Sequence, residues 1–265
     1  MFYVVIPTYQ NYDILNRCLE HVDEAAEIYG KDVRIVLAEN GFVFEVSKEK
    51  VHVPEHCELM KLGIDKNLYF ANSVNLALEI ILDFNEDKDF EGVVLLNDDA
   101  FVSRSFFSFM AQTNADYKGE RLIGPVTNRC AGFQCMNESL TGPVSEHDEQ
   151  DKYYFAIRQL MRTYKEDKRY REARWINGFC MFIPKKILCE FRQLDGVNFP
   201  LSGEEIDYCY RVLEATETKA IVDQWNFVYH IKGTTTAKMN KGEADKYWRD
   251  SADKLRAMYP YFPSQ

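Results

Sequence analysis

Three clusters of ionisable side chains stand out in the sequence by type and spacing. The first is Asn97-Asp98-Asp99, which follows the apolar run Val93 to Leu96. Two carboxylates at the end of a buried strand are costly unless a cation meets them, and a hard divalent ion with a diphosphate is one such partner. Asn and Asp also begin turns and cap helices, so this segment alone fits a metal site or a turn. The second cluster is Glu204-Glu205 with Asp207, in the run FPLSGEEIDYCYR. Helical geometry puts Glu204 and Asp207 on one face and turns Glu205 about 100° away from Glu204. In a first helical turn the macrodipole favours ionised carboxylates, so any of them could serve as a base. Equally, Ser202 with Glu205 spells a capping box and Asp207 with Arg211 an i,i+4 ion pair. The third is VYHIKGTTT, where the His230 imidazole could bind a metal and Lys232 could face a phosphate. A lone histidine is also often structural. Cys130 and Cys135 with His147 fit no common zinc spacing and lack a fourth ligand.

Something must bring these clusters together, and the hydrophobic pattern says what. Phe2 to Ile6 is a continuous apolar run ended by Pro7, as in a strand buried on both faces. From Ile14, Leu15, Cys18, Leu19, Val22, Ala25, Ala26 and Tyr29 fall at helical spacing, and Gly30 follows as a stop. Val33 to Ala38 reads as a second strand with Glu39-Asn40-Gly41 as its turn, Leu59 to Ile64 as a third, Asn72 to Phe84 as a helix and Val93 to Leu96 as a fourth strand. Strands alternating with helices describe a βαβ-wound parallel sheet with right-handed connections. Ligands of such sheets bind at the carboxyl ends of the strands, where Thr8, Tyr9, Gln10, Glu39, Asn40, Asp98 and Asp99 fall.

The second half is less regular. Residues 128 to 173 hold a Cys/Gly/Asn-rich loop and a charged stretch expected to form a lid, with Tyr154, Ile157, Leu160 and Met161 inward. Ser103 to Ala111 is a candidate helix, Trp175 to Pro184 is strand-like, Glu204 to Leu213 a helix, Ala220 to Val222 and Phe227 to Ile231 strands, and Glu243 to Tyr259 a helix stopped by Pro260. Neither a repeat nor a linker of disordered composition interrupts the chain, which favours one compact domain.

Composition sets the outer bounds. The 265 residues are enough for a sizeable core, and 46% hydrophobic with 28% charged residues is a globular composition. A net charge of −10 repels phosphate backbones and anionic bilayers, so nucleic acid is not an expected partner. No apolar run approaches the roughly 18 residues of a membrane span. MFYVVIPTY lacks a basic leader and reads as a strand, and the seven scattered cysteines read as reduced thiols. A cytoplasmic location is the expectation.

Taken in order, VVIPTYQN, LAENG, KNLYFANSVNLAL, VVLLNDDAF, WINGFCMFIPKKIL, FPLSGEEIDYCYR and YHIKGTTT resemble the inverting nucleotide-sugar glycosyltransferases of the GT-A fold, in the large family known as family 2. The resemblance covers about residues 2 to 236. It implies an α/β, Rossmann-like GT-A domain over residues 1–265, with a mostly parallel central sheet flanked by helices. Residues 1–100 would be its nucleotide-binding half; residues 101–265 would be the acceptor half, with a lid-like insertion near 128–173 and a C-terminal helix.

By the same resemblance, Pro7, Thr8 and Tyr9 match the first nucleotide-binding loop, Glu39 the base-reading aspartate and Asn67 the asparagine of an Asn-x-Gly-Phe motif. Asn97 and Asp98 would lie near the ribose and diphosphate, and Asp99 would be the metal ligand, with His230 reaching the metal or the diphosphate. Trp175, Gly178, Glu204 and Asp207 would border the acceptor, and Glu205 would be the general base. Trp175, Tyr153, Tyr154 and Phe179 could stack on a sugar face.

The implied reaction moves a hexosyl or deoxyhexosyl group from a uridine or thymidine diphosphate sugar to an acceptor hydroxyl with inversion, using Mn²⁺ or Mg²⁺. Four positions depart from the pattern: Glu39 for aspartate, Tyr69 for glycine, Asn97 for the first aspartate and Glu205 for aspartate. Two rivals stand beside it. One is an inactive nucleotide-sugar-binding module, motivated by Asn97 and Tyr69; the other is a nucleotidyltransferase, whose usual Gly-rich basic loop has no counterpart in PTYQNYD.

Overall fold

The computed structural model describes residues 1–84, 89–130, 132–136, 169–231 and 241–262. The first strand, β1 (Phe2–Tyr9), runs two residues past Pro7. A proline is tolerated there because the neighbouring strand β4 (Gly92–Leu96) pairs only with Phe2 to Val5. Helix α1 (Tyr12–Tyr29) buries the apolar face that its spacing foretold. It ends at Gly30, whose φ of 64° is the left-handed conformation glycine adopts freely and whose N–H donates to the Ala26 carbonyl at 3.0 Å.

Next come β2 (Val33–Asn40), the short helix α2 (Phe44–Lys50), β3 (Glu58–Ile64) and α3 (Tyr69–Phe84). Strands β3, β2, β1 and β4 lie side by side and parallel, as the alternating pattern required. Their carboxyl ends therefore share one edge of the sheet.

Beyond β4 the parallel run stops. Strand β5 (Ala100–Val102), helix α4 (Phe106–Asp116), β6 (Ile123–Thr127), β7 (Tyr170–Ala173) and β8 (Cys180–Pro184) follow, then α5 (Lys185–Phe191), α6 (Glu204–Thr216), β9 (Ala220–His230) and α7 (Lys241–Met258). Strand β8 pairs antiparallel with both β4 and β6, β6 is parallel to β9, and β5 and β7 are antiparallel to β9. The sheet is parallel through β3, β2, β1 and β4 and mixed beyond them, where the sequence pattern was irregular.

Two expected strands at Ala220 and Phe227 are one strand, β9, with a register shift opposite Pro125 and Val126. Asp223, the last residue in register before the shift, is fully buried and paired with Arg169. Only Cys180 to Pro184 of the expected Trp175 to Pro184 strand is extended in a ladder. The capping box also gives way: the N-cap of α6 is Gly203 at φ 92°, with no side-chain cap from Ser202. Glu205 is then the second helical residue, and the expected ion pair of Asp207 with Arg211 forms at 2.8 Å.

One large core lies around the sheet, and a smaller one of Phe199, Tyr210, Leu255 and Tyr259 joins α6 to α7. No described helix is long and apolar enough to cross a membrane. Most of the expected lid, with His147, Tyr153, Tyr154, Ile157, Leu160 and Met161, lies outside the described residues, as does Lys232.

Candidate functional site

Parallel register alone brings the first group of polar residues together. Thr8 stands opposite Glu39 and Tyr9 opposite Asn40 along β1 and β2. The Thr8 hydroxyl donates to Asp98 Oδ2 at 2.7 Å, tying the end of β1 to the end of β4 in a buried contact. Asn40 does the same for β2: its Nδ2 donates to the Thr8 carbonyl at 3.3 Å, and its Oδ1 accepts the Leu68 N–H at 2.9 Å. Glu39, 1% exposed, accepts the Ser47 hydroxyl at 2.6 Å on Oε2. Lys61 Nζ bonds the Ser47 carbonyl at 3.2 Å, and burial followed by the charge of Glu39 raises the Tyr12 hydroxyl above its usual range. The extra methylene of Glu39 over an aspartate is thus spent on reaching α2. Nothing in the sequence pattern signalled Ser47, because α2 is too short for a helical period to register.

Asn67 is exposed, and its Oδ1 accepts the Tyr69 N–H at 2.9 Å in a tight turn. Tyr69 adopts φ 61°, the conformation a glycine would take without strain. The loop has therefore kept a glycine-like backbone while carrying a tyrosine ring, which packs 6.0 Å from that of Tyr247 on α7.

The second group forms where β4 turns into β5. Ala100 pairs with His230 across β5 and β9, so the residue before one and the imidazole of the other meet. His230 Nε2 lies 3.2 Å from Asp99 Oδ1, both side chains nearly buried. Its Nδ1 is 2.9 Å from the Arg129 carbonyl, which can only accept, so that nitrogen carries a hydrogen. Nε2 then faces the carboxylate oxygen, and both atoms are buried. An imidazolium N–H would join the two as an ion pair, and a divalent cation would join them as a shared ligand. Phe179 stacks on the imidazole at 5.1 Å and 20°, so it serves the ring rather than a sugar.

This donor pair fits a hard or borderline divalent ion, which takes its remaining ligands from phosphate and water. Among the described residues no group of three or more His, Cys, Asp or Glu side chains is gathered to hold a metal. Cys130 and Cys135 are free thiols. Asn97 is half-buried beside this pair; its N–H donates to the Phe179 carbonyl at 3.0 Å.

The third group opens α6. A Cβ placed on Gly178 would lie 3.4 Å from Cβ and Cγ of Glu205, so the glycine lets the loop run directly against that side chain. Backbone amides of Gly178, Gly203 and Ile206 hydrogen-bond the Glu205 carboxylate and favour its ionised form. Burial outweighs them, and its carboxyl is raised above the ordinary carboxylate range. Glu204 is pushed up further, by burial first and then by the charge of Glu205. Gly178 touches Glu205 and the next residue, Phe179, stacks on His230, so one dipeptide separates the base candidate from the cation pair.

Asp207, expected beside the acceptor, is instead a structural tie. Its carboxylate is fully buried, with Oδ2 taking Arg211 at 2.8 Å and Oδ1 the Tyr259 hydroxyl at 2.6 Å. Trp175 is half-buried and covers Gly132, where a Cβ would meet its ring at 3.1 Å. An open cleft of about 460 Å³ lined by Glu91, Asn114, Lys118, Lys185 and Cys189 lies at the other end of β4, away from all three groups.

No protein-family model matches the sequence, and no curated protein matches it. Among solved structures, the chain is similar to the crystal structure of GalNAc-T7 with UDP, GalNAc and Mn²⁺, with a TM-score of 0.59 at 10% identity. The match covers 87% of this chain and 43% of that one, so the chain spans less than half the length of its neighbour. The fold is that of the GT-A glycosyltransferases, an α/β domain whose central sheet is flanked by helices.

Proposed function

We propose that the protein is a glycosyltransferase that moves a sugar from a nucleotide diphosphate sugar to an acceptor hydroxyl, with inversion. The observation that carries this reading is the placement of a cation-seeking pair, Asp99 and His230, one dipeptide away from the raised carboxylate of Glu205. That the neighbour was crystallised with UDP, GalNAc and Mn²⁺ supports a nucleotide-sugar donor and a divalent ion.

Asp99 and His230 would hold Mn²⁺ or Mg²⁺, which when bound supplies positive charge against the departing diphosphate. Thr8, Asp98 and Asn40 shape the donor cradle at the strand ends; a uridine or thymidine diphosphate is the proposed carrier. Glu205 takes the proton of the acceptor hydroxyl as its oxygen bonds to the anomeric carbon and the bond to the diphosphate breaks on the opposite face. Burial of Glu205 raises its basicity, and Gly178 lets the loop close against its side chain and hold it in place.

The test is release of nucleotide diphosphate from a panel of donor sugars with Mn²⁺ and simple sugar acceptors, with the anomeric configuration of the product read by nuclear magnetic resonance. An inverted product supports the reading. A retained configuration overturns the single displacement, and tight metal-dependent binding without turnover favours the binding module that Asn97 first suggested.

A further inference from the structure

The two carboxylates that open α6 have unequal surroundings. Glu204 is 5% exposed, and its Oε2 is buried with no hydrogen-bond partner. Its own backbone amide is the one amide that favours its ionised form, whereas Glu205 is half-buried and takes the amides of Glu205, Gly178, Ile206 and Gly203 on its carboxylate. Beside Gly203, the preceding loop and α7 bring Phe199, Ser251 and Leu255, none of them ionisable. Glu205 is the charged group that acts on Glu204.

The helix dipole favours ionisation of both residues, since both lie in the first turn, so it does not choose between them. The amides do choose. An ionised carboxylate buried with an unfilled oxygen is costly, and a like charge beside it adds to that cost. The same carboxyl in its neutral form loses neither term. Two interacting acids of this kind shed their protons in two separated steps, with one charge held over the range between.

We propose that Glu204 stands protonated at neutral pH, as a positioning residue that limits the pair to one negative charge and leaves that charge on Glu205. This rests on the reading of Glu205 as the base. Its use is electrostatic. The donor brings a diphosphate to the same end of the sheet, and a second ionised carboxylate would repel it and would hold the proton of Glu205 too firmly to release it after transfer.

Infrared spectroscopy of the whole protein without substrate tests this directly. At neutral pH the wild type should show a protonated-carboxyl carbonyl band that Glu205→Gln retains and Glu204→Gln, a neutral side chain of the same shape, lacks. Raising the pH should abolish the band as Glu204 ionises, and transfer by the wild type should fall with it while Glu204→Gln holds its rate. Identical wild-type and Glu204→Gln spectra at neutral pH would overturn the proposal. If Glu204→Gln fails to fold, wild type labelled with ¹³C-glutamate decides: a label-shifted acid band at neutral pH, kept in Glu205→Gln, supports the proposal, and its absence sinks it. The outcomes separate from those of the enzyme reading, because a band without any transfer removes the role of Glu205 and leaves Glu204 protonated.

Discussion

Asp98, at the end of β4, accepts the Thr8 hydroxyl at 2.7 Å, and Glu39, at the end of β2, takes Ser47 at 2.6 Å on one oxygen while its Oε1 is buried without a partner, as Oε2 of Glu204 is at the start of α6. The proposed donor end is a set of strand ends laced to one another through Thr8, Asn40 and Ser47. The proposed acceptor side is one helix turn seated on a small core and tied through Asp207 to Tyr259. Acids tied to neighbouring elements make a cradle that keeps its shape before any ligand arrives; Glu204 and Glu205, two acids side by side that burial pushes above the ordinary carboxylate range, are poised to exchange protons. Asp99 and His230 stand between these regimes, at the junction of β4 and β9.

The widest separation of the two regions should come from Glu205→Gln. Transfer should fall by about 10² to 10⁴, the usual worth of a general base, with neither nucleotide affinity nor melting temperature reduced. The pH profile carries the same signature. Only ionised Glu205 can accept a proton, so kcat/KM should fall as pH drops through a Glu205 pKa that lies above the ordinary carboxylate range. In Glu205→Gln that acidic limb should vanish from any residual rate.

Asp98→Ala attacks the other side. It strips the buried Thr8 hydroxyl of its acceptor, and by loss of a charged hydrogen bond it should cost roughly 1.5 to 3 kcal/mol of stability. Nucleotide affinity should drop with it, measured by calorimetry, while the pH limb of any remaining transfer stays in place. Tyr259→Phe should be milder, about 1 kcal/mol by denaturant unfolding, since it removes one of the two side-chain partners of buried Asp207. Its rate loss should appear in kcat and not in donor affinity, because α6 loosens while the cradle does not. Smallest of all is Tyr69→Gly. Relief of a strained φ, worth about 1 to 2 kcal/mol, is largely offset by losing the ring contact with Tyr247, worth about 0.5 to 1.5 kcal/mol.

The donor half was legible from sequence because its strands are buried on both faces and alternate with helices, so β1 to β4 and the polar residues at their ends could be placed in order. The mixed half was not. Strand β9 carries polar Asp223 and Asn226 in its middle, and these broke its apolar run into two short pieces. Strand β5 and helix α5 are too brief to show a period. The capping box was spelled correctly in Ser202 and Glu205, but Gly203 took the cap because a positive φ there lets the chain turn onto Phe199 and Leu255. The tie between Asp207 and Tyr259 spans 52 positions, and no local pattern encodes a contact of that range. The resemblance placed Asp99, His230, Glu205 and Gly178 among the functional residues, yet that Gly178 packs on Glu205 and Phe179 on His230 is a contact no local pattern encodes.

The central claim is that Asp99 and His230 hold a cation for a nucleotide diphosphate, and thermal-shift titration with uridine and thymidine diphosphates, with and without Mn²⁺, tests it most directly. Stabilisation by a ligand follows RT ln(1 + [L]/Kd), so a ligand at about 100 times its Kd should add about 2.7 kcal/mol. The account predicts a shift that needs Mn²⁺ and disappears in Asp99→Ala. No shift with any nucleotide, or the same shift in Asp99→Ala, would contradict it.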